Sequence, residues 1–396
     1  MLDQDKIDKV VERLVTKIER SNTYILNEIA KSINEIGTIN STKRQQLIQI
    51  LKYGGNYEKI VKKIAQITQT NVKEIYDIFE AIAKKDYEFA KQFYDYRGIN
   101  YIPYQDNIAL RQQVRALATI TAQEYLNISR TRVLGFALIN KDTGSVTIRG
   151  LQDTYYNLID EAVLSISQGK ETFEGAMYRQ LKNVAESGLK VVYPSGRAVR
   201  LDSAMRMNME SGLGNLHNTI QEQIGREFGA DGVEISVHLN PAIDHEEVQG
   251  KQFSYAQYSN LQTSGVATTY DGEEIDMHIG EHFRPISDLN CKHKAFSIVL
   301  GVNKPQYSKK QLKEIVDKNN EGFEFEGKHY TNYEGTQLQR RIETEIRRKK
   351  EVQKPLEICG FDTQDIKKSI RILRQKYKDL AKISGLPTMT ERFRVV

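Results

Sequence analysis

The stretch SAMRMNMESGLGNLHNTIQEQIGREFGADGVEISVHL, residues 203–239, changes its hydrophobic pattern at Asp231-Gly232. Up to Gly229 the pattern is typical of one long helix. Beyond Gly232, the run VEISVHL alternates apolar and polar residues, which is typical of a strand with one buried face. Because both patterns occur side by side, we predict an α+β fold.

The residues that follow this change, 231–335, are predicted to form a small α+β domain. Further strand patterns occur at KQFSYAQ (251–257), AFSIVLG (295–301) and FEFEGKHYT (323–331), with Gly327 in the turn of the last. The long polar segments between these strands predict irregular loops.

The rest of the chain is predicted to be helical, so the fold class is α+β with helices predominating. We expect a long helical N-terminal region (1–135), a helical middle region (136–230) and a basic helical C-terminal region (336–396). The last region reads as an antiparallel helical pair joined near Cys359-Gly360. Helices are expected at residues 6–36, 42–55, 58–68, 72–98, 107–135, 153–169 and 172–188, with a short hairpin at 191–202.

The composition excludes some classes of protein. Apolar residues make up 39% of the 396 residues, which is enough for real cores. No apolar run approaches the ~20 residues that span a bilayer, so no membrane contact is expected. The N-terminus lacks a signal-peptide pattern, and two cysteines fit a reducing compartment, so we expect the protein to be made and used in a cytoplasm.

An ordered series of segments resembles the tailed-phage minor capsid proteins, namely phage minor capsid protein 2 of the MuF-like head morphogenesis group. The resemblance covers roughly residues 100–396. Its segments are GLKVVYPSGRAVRLDSAMRM, EISVH, DHEEVQGKQF, DLNCKHKAFSIVLGV, FEGKHYTNYEGTQLQRRIETEIRRKK and SGLPTMTERFRV.

This resemblance implies a MuF-like domain within the α+β part and a place in the virion, in the capsid interior or at the portal vertex. The implied partners are the portal protein and the major capsid or scaffolding protein. The chain departs from the family pattern at three positions. Ala242 stands where arginine is usual, Ile243 where proline is usual, and Val248 where tryptophan is usual.

Four residues are candidate metal ligands: His238, His245, Cys291 and His293. Imidazole and thiolate are the ligands that zinc prefers, and a site closed by four of them stabilises a fold directly. Zinc is therefore the expected cofactor if a metal binds. The competing interpretation is that these are hydrogen-bonded core residues, since buried histidines often satisfy carbonyls and reduced cysteines often fill cores.

A catalytic role for the same residues is a further alternative. Cys291 beside a histidine would form a nucleophile–base pair, and a histidine-rich metal centre would support a hydrolase or nuclease. The sequence carries no nucleophile elbow, Walker loop or paired-acid metal motif to accompany either chemistry. We therefore predict no enzymatic activity.

The C-terminal region concentrates positive charge. Residues 337–382 contain 14 Lys/Arg against 7 Asp/Glu, whereas the whole chain carries a net charge of +5. The run Arg347, Arg348, Lys349 and Lys350 is the candidate for sequence-independent contact with packaged double-stranded DNA. Acidic residues are interspersed among these cations, which leaves open the alternative that the region is an ordinary solvated helical pair.

These features together predict a non-enzymatic minor capsid protein that docks at the portal vertex and assists capsid assembly or DNA packaging and delivery. The first alternative is a metal-dependent hydrolase or nuclease that uses the histidine–cysteine cluster. The second is a free DNA-binding protein whose helices form a dimer interface.

Overall fold

A computed structural model of the chain describes residues 4–37, 56–129, 134–139, 146–150, 153–154, 173–193, 197–288, 291–393 and 395. Helices predominate and the strands form small antiparallel sheets, which confirms the predicted fold class. The helix predicted over 42–55, nearly all of that over 153–169, and Asn290 lie outside the described residues. Among the helices that are described, none is long and apolar enough to cross a membrane.

Three long helices form the N-terminal part: α1 (Gln4–Gly37), α2 (Asn56–Arg97) and α3 (Ile108–Ile128). On α1, Val11, Ile18 and Ile25 lie at seven-residue steps and are all buried. Residues seven apart on a helix share one face, so the apolar spacing in the sequence marks the side that packs on the core.

α2 is a single helix, although the sequence predicts two helices separated at Asn71. Asn71 is buried, and its amide donates a hydrogen bond to the hydroxyl of Tyr125 on α3 at 2.6 Å. Its polar group is therefore satisfied by a neighbouring helix rather than by capping a new one. The predicted break is wrong because this partner lies far away in the sequence.

The middle region contains a four-stranded antiparallel sheet that the sequence analysis did not predict. Its strands are β1 (Leu134–Ile139), β2 (Val146–Gly150), β3 (Lys190–Val192) and β4 (Ala198–Arg200), in the order β2-β1-β3-β4. The pairing of β3 with β4 confirms the predicted hairpin. Helices α4 (Phe173–Ser187) and α5 (Leu201–Glu227) lie where helices were predicted, whereas β1 and β2 are strands that the sequence did not predict.

The α+β part begins with β5 (Gly232–Ile235) and β6 (Gln252–Ser254), then α6 (Tyr255–Ser264). The short strands β7 (Val266–Thr268) and β8 (Glu274–Asp276) form a hairpin, and β9 (Ala295–Ile298) completes a sheet of order β6-β5-β9. Ser254 and Gln257 form a capping box at the start of α6, which fixes where strand becomes helix. This part has its own core, which includes Val233, Phe253 and Leu261.

The C-terminal part begins with α7 (Lys309–Glu321) and the hairpin of β10 (Phe323–Phe325) and β11 (Lys328–Tyr330). The predicted turn glycine, Gly327, adopts a positive φ of 74°. Helices α8 (Asn332–Ile358) and α9 (Gln364–Ser384) then form the predicted pair. A short 3-10 turn (Thr390–Phe393) returns the chain to α8 and α1.

The main hydrophobic core contains residues of α1, α2, α3, α4 and α5, together with Val352 and Leu356 of α8. A helix near the end of the chain therefore packs into the core built by its beginning. The β6-β5-β9 sheet is fixed to this body at α5, which contacts β9. Helix α8 of the same body contacts α7 and β11.

Candidate metal centre and basic surface

The four predicted metal ligands lie in three short segments that strand pairing brings together. His238 follows β5, and Cys291 and His293 precede β9. Because β5 and β9 pair with Ile235 opposite Ala295, the residues just beyond β5 face the residues just before β9. The main chain continues this pairing, since the Ser236 amide donates to the carbonyl of Lys294 at 2.8 Å.

His245 enters the site from a 3-10 turn, Ile243–His245, in the loop between β5 and β6. Its side chain is buried, and its Nε2 donates to the backbone carbonyl of Arg284 at 2.8 Å. Two hydrogen bonds from the Arg284 guanidinium to Asp244, at 2.9 and 3.1 Å, help to hold that segment in place. The other ring nitrogen, Nδ1, is thereby left to face Cys291 Sγ at 3.3 Å.

His293 is arranged in the same way. Its Nδ1 lies 3.5 Å from Cys291 Sγ, and its Nε2 lies 3.4 Å from Oε1 of the buried Gln249. Gln249 also accepts a hydrogen bond from the backbone amide of His238 at 3.0 Å. One glutamine therefore fixes both the His293 ring and the segment that carries His238.

His238 lies next to this group, with its ring centroid 4.4 Å from that of His293, but among the four predicted ligands the ligand atoms that lie within 4.8 Å of one another belong to His245, Cys291 and His293 only. The His238 ring is hydrogen-bonded to the backbone of Lys292. Its Nε2 is buried and has no hydrogen-bond partner among the described residues. A buried imidazole nitrogen without a partner is costly, so this nitrogen is suited to bind a ligand.

Burial determines the protonation of the cluster. It lowers the pKa of His238 and His245, and it lowers that of His293 well below its usual value, with the neighbouring imidazoles adding to the effect. Burial also raises the pKa of the Cys291 thiol. The imidazoles are therefore neutral, which is the form that binds a metal.

The donor set fits a zinc ion. Tetrahedral zinc with its usual bond lengths places sulfur and nitrogen ligands about 3.5 Å apart, and the distances from Cys291 Sγ to His245 and His293 are 3.3 and 3.5 Å. Both Nδ1 atoms face a single thiol, whose one proton serves only one of them. A cation among these atoms satisfies both nitrogens, and the oxygen acceptors on the opposite ring nitrogens are the usual outer partners of zinc-bound histidines.

A cavity of about 550 Å³ opens beside the cluster, between the α+β part and α8. Its walls carry three basic side chains, Arg284, Lys292 and Arg340, and the ring of Tyr333. Two of these cations are already paired, since Arg284 binds Asp244 and Lys292 binds Asp8 of α1 at 2.6 Å. The cluster is thus approached through a polar, positively charged opening.

The basic run on α8 is largely occupied by contacts within the protein. Arg347 is buried and forms ion pairs with Glu19 of α1 at 3.2 Å and Asp202 of α5 at 2.8 Å. Its guanidinium cannot reach a phosphate without breaking both pairs. The prediction that Arg347 binds nucleic acid is therefore wrong in this fold.

The other three members of the run are nearer the surface. Arg348 and Lys349 both pair with Glu345 of the same helix, at 2.8 and 3.6 Å. The Lys350 ammonium donates to the carbonyl of Phe393 and lies over its ring. Their contact with nucleic acid stays a prediction.

Sequence reasoning missed the buried ionic network that surrounds Arg347. Arg206 binds Glu12 at 2.7 Å, Arg392 binds the same carboxylate at 3.1 Å, and Arg200 binds Glu351 at 3.0 Å. The sequence held one signal of this network: Glu12 and Glu19 lie seven residues apart, on the face of α1 that carries its apolar residues. The roles of Gln249 and of the Arg284 carbonyl had no comparable signal.

The sequence model of one family, described as phage minor capsid protein 2, matches residues 2–382. No curated protein and no solved structure gives a significant match. Since the family match covers nearly the whole chain, the chain belongs to the phage minor capsid protein 2 family, which confirms the resemblance. Membership indicates a structural, capsid-related role in a bacteriophage particle.

Proposed function

We propose that this member of the phage minor capsid protein 2 family is a non-enzymatic head morphogenesis protein that docks at the portal vertex. It contacts the portal protein and the major capsid or scaffolding protein, and it assists capsid assembly or DNA packaging and delivery. The observation that carries the proposal is the family match over residues 2–382. The protein assembles in the bacterial cytoplasm and stays in the virion.

The ionic network supports a structural role. Residues of α1, α5, α8 and the final 3-10 turn meet in buried ion pairs, so both ends of the chain are fixed to the same helical body. Buried charges fix a particular arrangement of helices, because any other arrangement leaves a charge without a partner. A protein that must present one defined surface to a portal benefits from such an arrangement.

Particle composition tests the capsid role. Purified particles analysed by quantitative mass spectrometry should contain the protein at low copy number relative to the major capsid protein. Co-expression with the portal protein of the same particle should yield a complex. Finding the protein only outside particles, with no portal complex, would refute the proposal.

We further propose that His238, His245, Cys291 and His293 hold one structural zinc ion. The bound ion would join the loop after β5, the 3-10 turn and the segment before β9. Closure of the site by four protein ligands is the arrangement of structural zinc sites. The support is that the ligand atoms of His245, Cys291 and His293 lie within 4.8 Å of one another, with the His238 ring next to that of His293.

Metal analysis of purified protein tests this assignment. We expect about one zinc per chain in protein purified without chelator, and a loss of zinc in the variant Cys291→Ser. The matched control is Cys359→Ser, which changes the other cysteine, whose Sγ contacts the carbonyl of Ala30 away from the cluster. Zinc-free wild-type protein that unfolds at the same temperature with and without added zinc would remove the metal from the proposal.

The cavity beside the cluster favours a second candidate, a metal-dependent hydrolase or nuclease. Its basic walls would suit a phosphate group, and one ligand position would have to remain open for water. One feature opposes it, because the Asp244 carboxylate is paired with Arg284. Zinc-loaded protein that cleaves a phosphodiester, with the cleavage lost in Cys291→Ser and kept in Cys359→Ser, would favour the enzyme.

A further inference from the structure

The outer face of α9 carries five exposed basic side chains. They are Lys368, Arg371, Arg374, Lys378 and Lys382. Within the described part of the chain none of them forms an ion pair, whereas Lys367 beside them binds Glu357 at 3.0 Å and Lys376 binds Glu326. Exposed cations in a row, without an ion pair to a described residue, are available to an outside partner.

The spacing of these residues places them along one side of the helix. Steps of three and four residues keep them within about 120° of the helix circumference and over a length of about 21 Å. The opposite side, with Ile370, Tyr377 and Leu380, is buried against α8. The acid nearest to the basic face is Asp379 at its edge, and that carboxylate accepts a hydrogen bond from Gln375 at 2.9 Å.

We propose that this face of α9 binds the phosphate backbone of double-stranded DNA without reading its sequence. The face offers about one positive charge per 5 Å, and it meets a duplex that carries one negative charge per about 1.7 Å of its axis. Binding releases counterions from the duplex, which is the main source of sequence-independent affinity. Lysine and arginine contacts to phosphates fix position and carry no base information.

A DNA duplex fits this face better than an acidic protein does. Protein interfaces need an apolar centre surrounded by polar contacts. The exposed apolar residues of α9, Ile372 and Ile383, lie on the neighbouring side of the helix rather than among the five cations. The proposed capsid role supplies only the source of the duplex, the packaged genome, so the binding itself can be tested with purified protein.

The test is binding of the full-length protein to a 30-base-pair duplex of arbitrary sequence over a salt series. The variant Arg371→Gln/Arg374→Gln/Lys378→Gln removes three of the five charges from one face. Loss of three phosphate contacts should reduce the slope of log affinity against log salt by about 2.7, and the affinity at 100 mM salt by on the order of 100-fold. A variant that keeps the wild-type slope overturns the proposal.

A second triple variant controls for net charge. Lys310→Gln/Lys313→Gln/Lys318→Gln on α7 removes three exposed lysines and changes the total charge equally. It should bind the duplex with the slope of the wild type. Equal weakening by both triple variants would show a general charge effect and refute a defined site on α9.

A third arm separates DNA from an acidic protein. Ile372→Ser/Ile383→Ser should leave duplex binding unchanged, and poly-glutamate at the same concentration of charges should displace little DNA. Strong displacement of DNA by poly-glutamate, together with weakened duplex binding in Ile372→Ser/Ile383→Ser, would identify the face as a protein interface instead. Particle incorporation of each variant, measured separately, distinguishes failure of this proposal from failure of the capsid role.

Discussion

Helices α8 and α9 lie against each other and carry the same number of Lys and Arg residues, seven each, yet they use them in opposite ways. On α8, Arg347 is buried between two carboxylates and Lys350 is held by Phe393. On α9, five of the seven point to solvent without an ion pair to any described residue. A count of basic residues therefore does not identify a DNA-binding helix.

The two helices also differ in their number of acidic residues. α8 carries five Asp or Glu residues and α9 carries two. α8 lies between α9 and the body formed by α1, α4 and α5, so its charges must be neutralised locally, whereas α9 has one free side. The position of a helix in the fold therefore decides whether its cations pair within the protein or stay available to a partner.

Replacing Arg347 should cause the largest loss in the free energy of unfolding. Arg347→Met leaves Glu19 and Asp202 facing each other without the shared cation, and we expect a loss of about 3–5 kcal/mol in the free energy of unfolding. Urea denaturation measures it. The matched variant Arg374→Met on α9 should change stability by no more than about 0.5 kcal/mol. Similar unfolding midpoints for the two variants would contradict the comparison.

The pH dependence of stability sharpens the description of the α8 network. Burial, with nearby Asp202 and Glu351, raises the folded-state pKa of Glu19 from 4.5 to about 8 despite the presence of Arg347. A carboxyl with a raised pKa binds its proton more tightly in the folded state. It therefore stabilises the fold below about pH 4.5, and this contribution is lost as the pH rises through 8.

We therefore expect Glu19→Gln to become more stable relative to the wild type as the pH is raised from 5 to 8. Denaturation at pH 5, 6.5 and 8 measures the trend. A constant difference between Glu19→Gln and the wild type at all three pH values would contradict the raised pKa.

Tyr377 links α8 and α9, and removing its hydroxyl should cause an intermediate loss of stability. Its hydroxyl donates to Glu343 of α8 at 2.7 Å and accepts from the Met389 amide at 2.8 Å. Removing it in Tyr377→Phe leaves a buried carboxylate oxygen and an amide without this partner, which should cost about 1–3 kcal/mol. Thermal unfolding of Tyr377→Phe at the same temperature as the wild type would show that the ring alone fixes α9 on α8.

The smallest effect on stability is expected on the outer face of α9. Arg371→Gln/Arg374→Gln/Lys378→Gln removes repulsion between like charges, so unfolding free energy should stay within about 0.5 kcal/mol or rise slightly at low salt. Urea denaturation at 20 mM and 300 mM salt tests this. A loss above 1 kcal/mol would show that these cations have structural partners.

The sequence predicted the elements whose signals are local. The long helix α5, the β10–β11 hairpin with Gly327, and the C-terminal pair follow from apolar spacing and turn residues. The joining of β1 to β3 was missed, since it pairs Leu134 and Gly135 with Val191 and Lys190, more than 50 residues along the chain. The continuity of α2 was missed for a similar reason, because Asn71 finds its partner on α3.

The sequence was enough to propose the ligands of the candidate metal centre, but not to find the residues that surround them. His238, His245, Cys291 and His293 have the chemistry of zinc ligands, and the ordered family segments contain them. The residues that orient them could not be found, because Gln249 is an ordinary polar residue in the sequence and the Arg284 contact is a backbone carbonyl.

The sequence by itself determined the family, the helical and strand-forming segments, the metal-ligating residue types and the concentration of positive charge near the C-terminus. Only the tertiary structure decided which of these charges are available. Arg347 meets Glu19 across 328 residues of sequence, and Arg392 meets Glu12 across 380. Removal of a charge from water depends on every element packed around it, and that environment exists only after the two ends of the chain have come together.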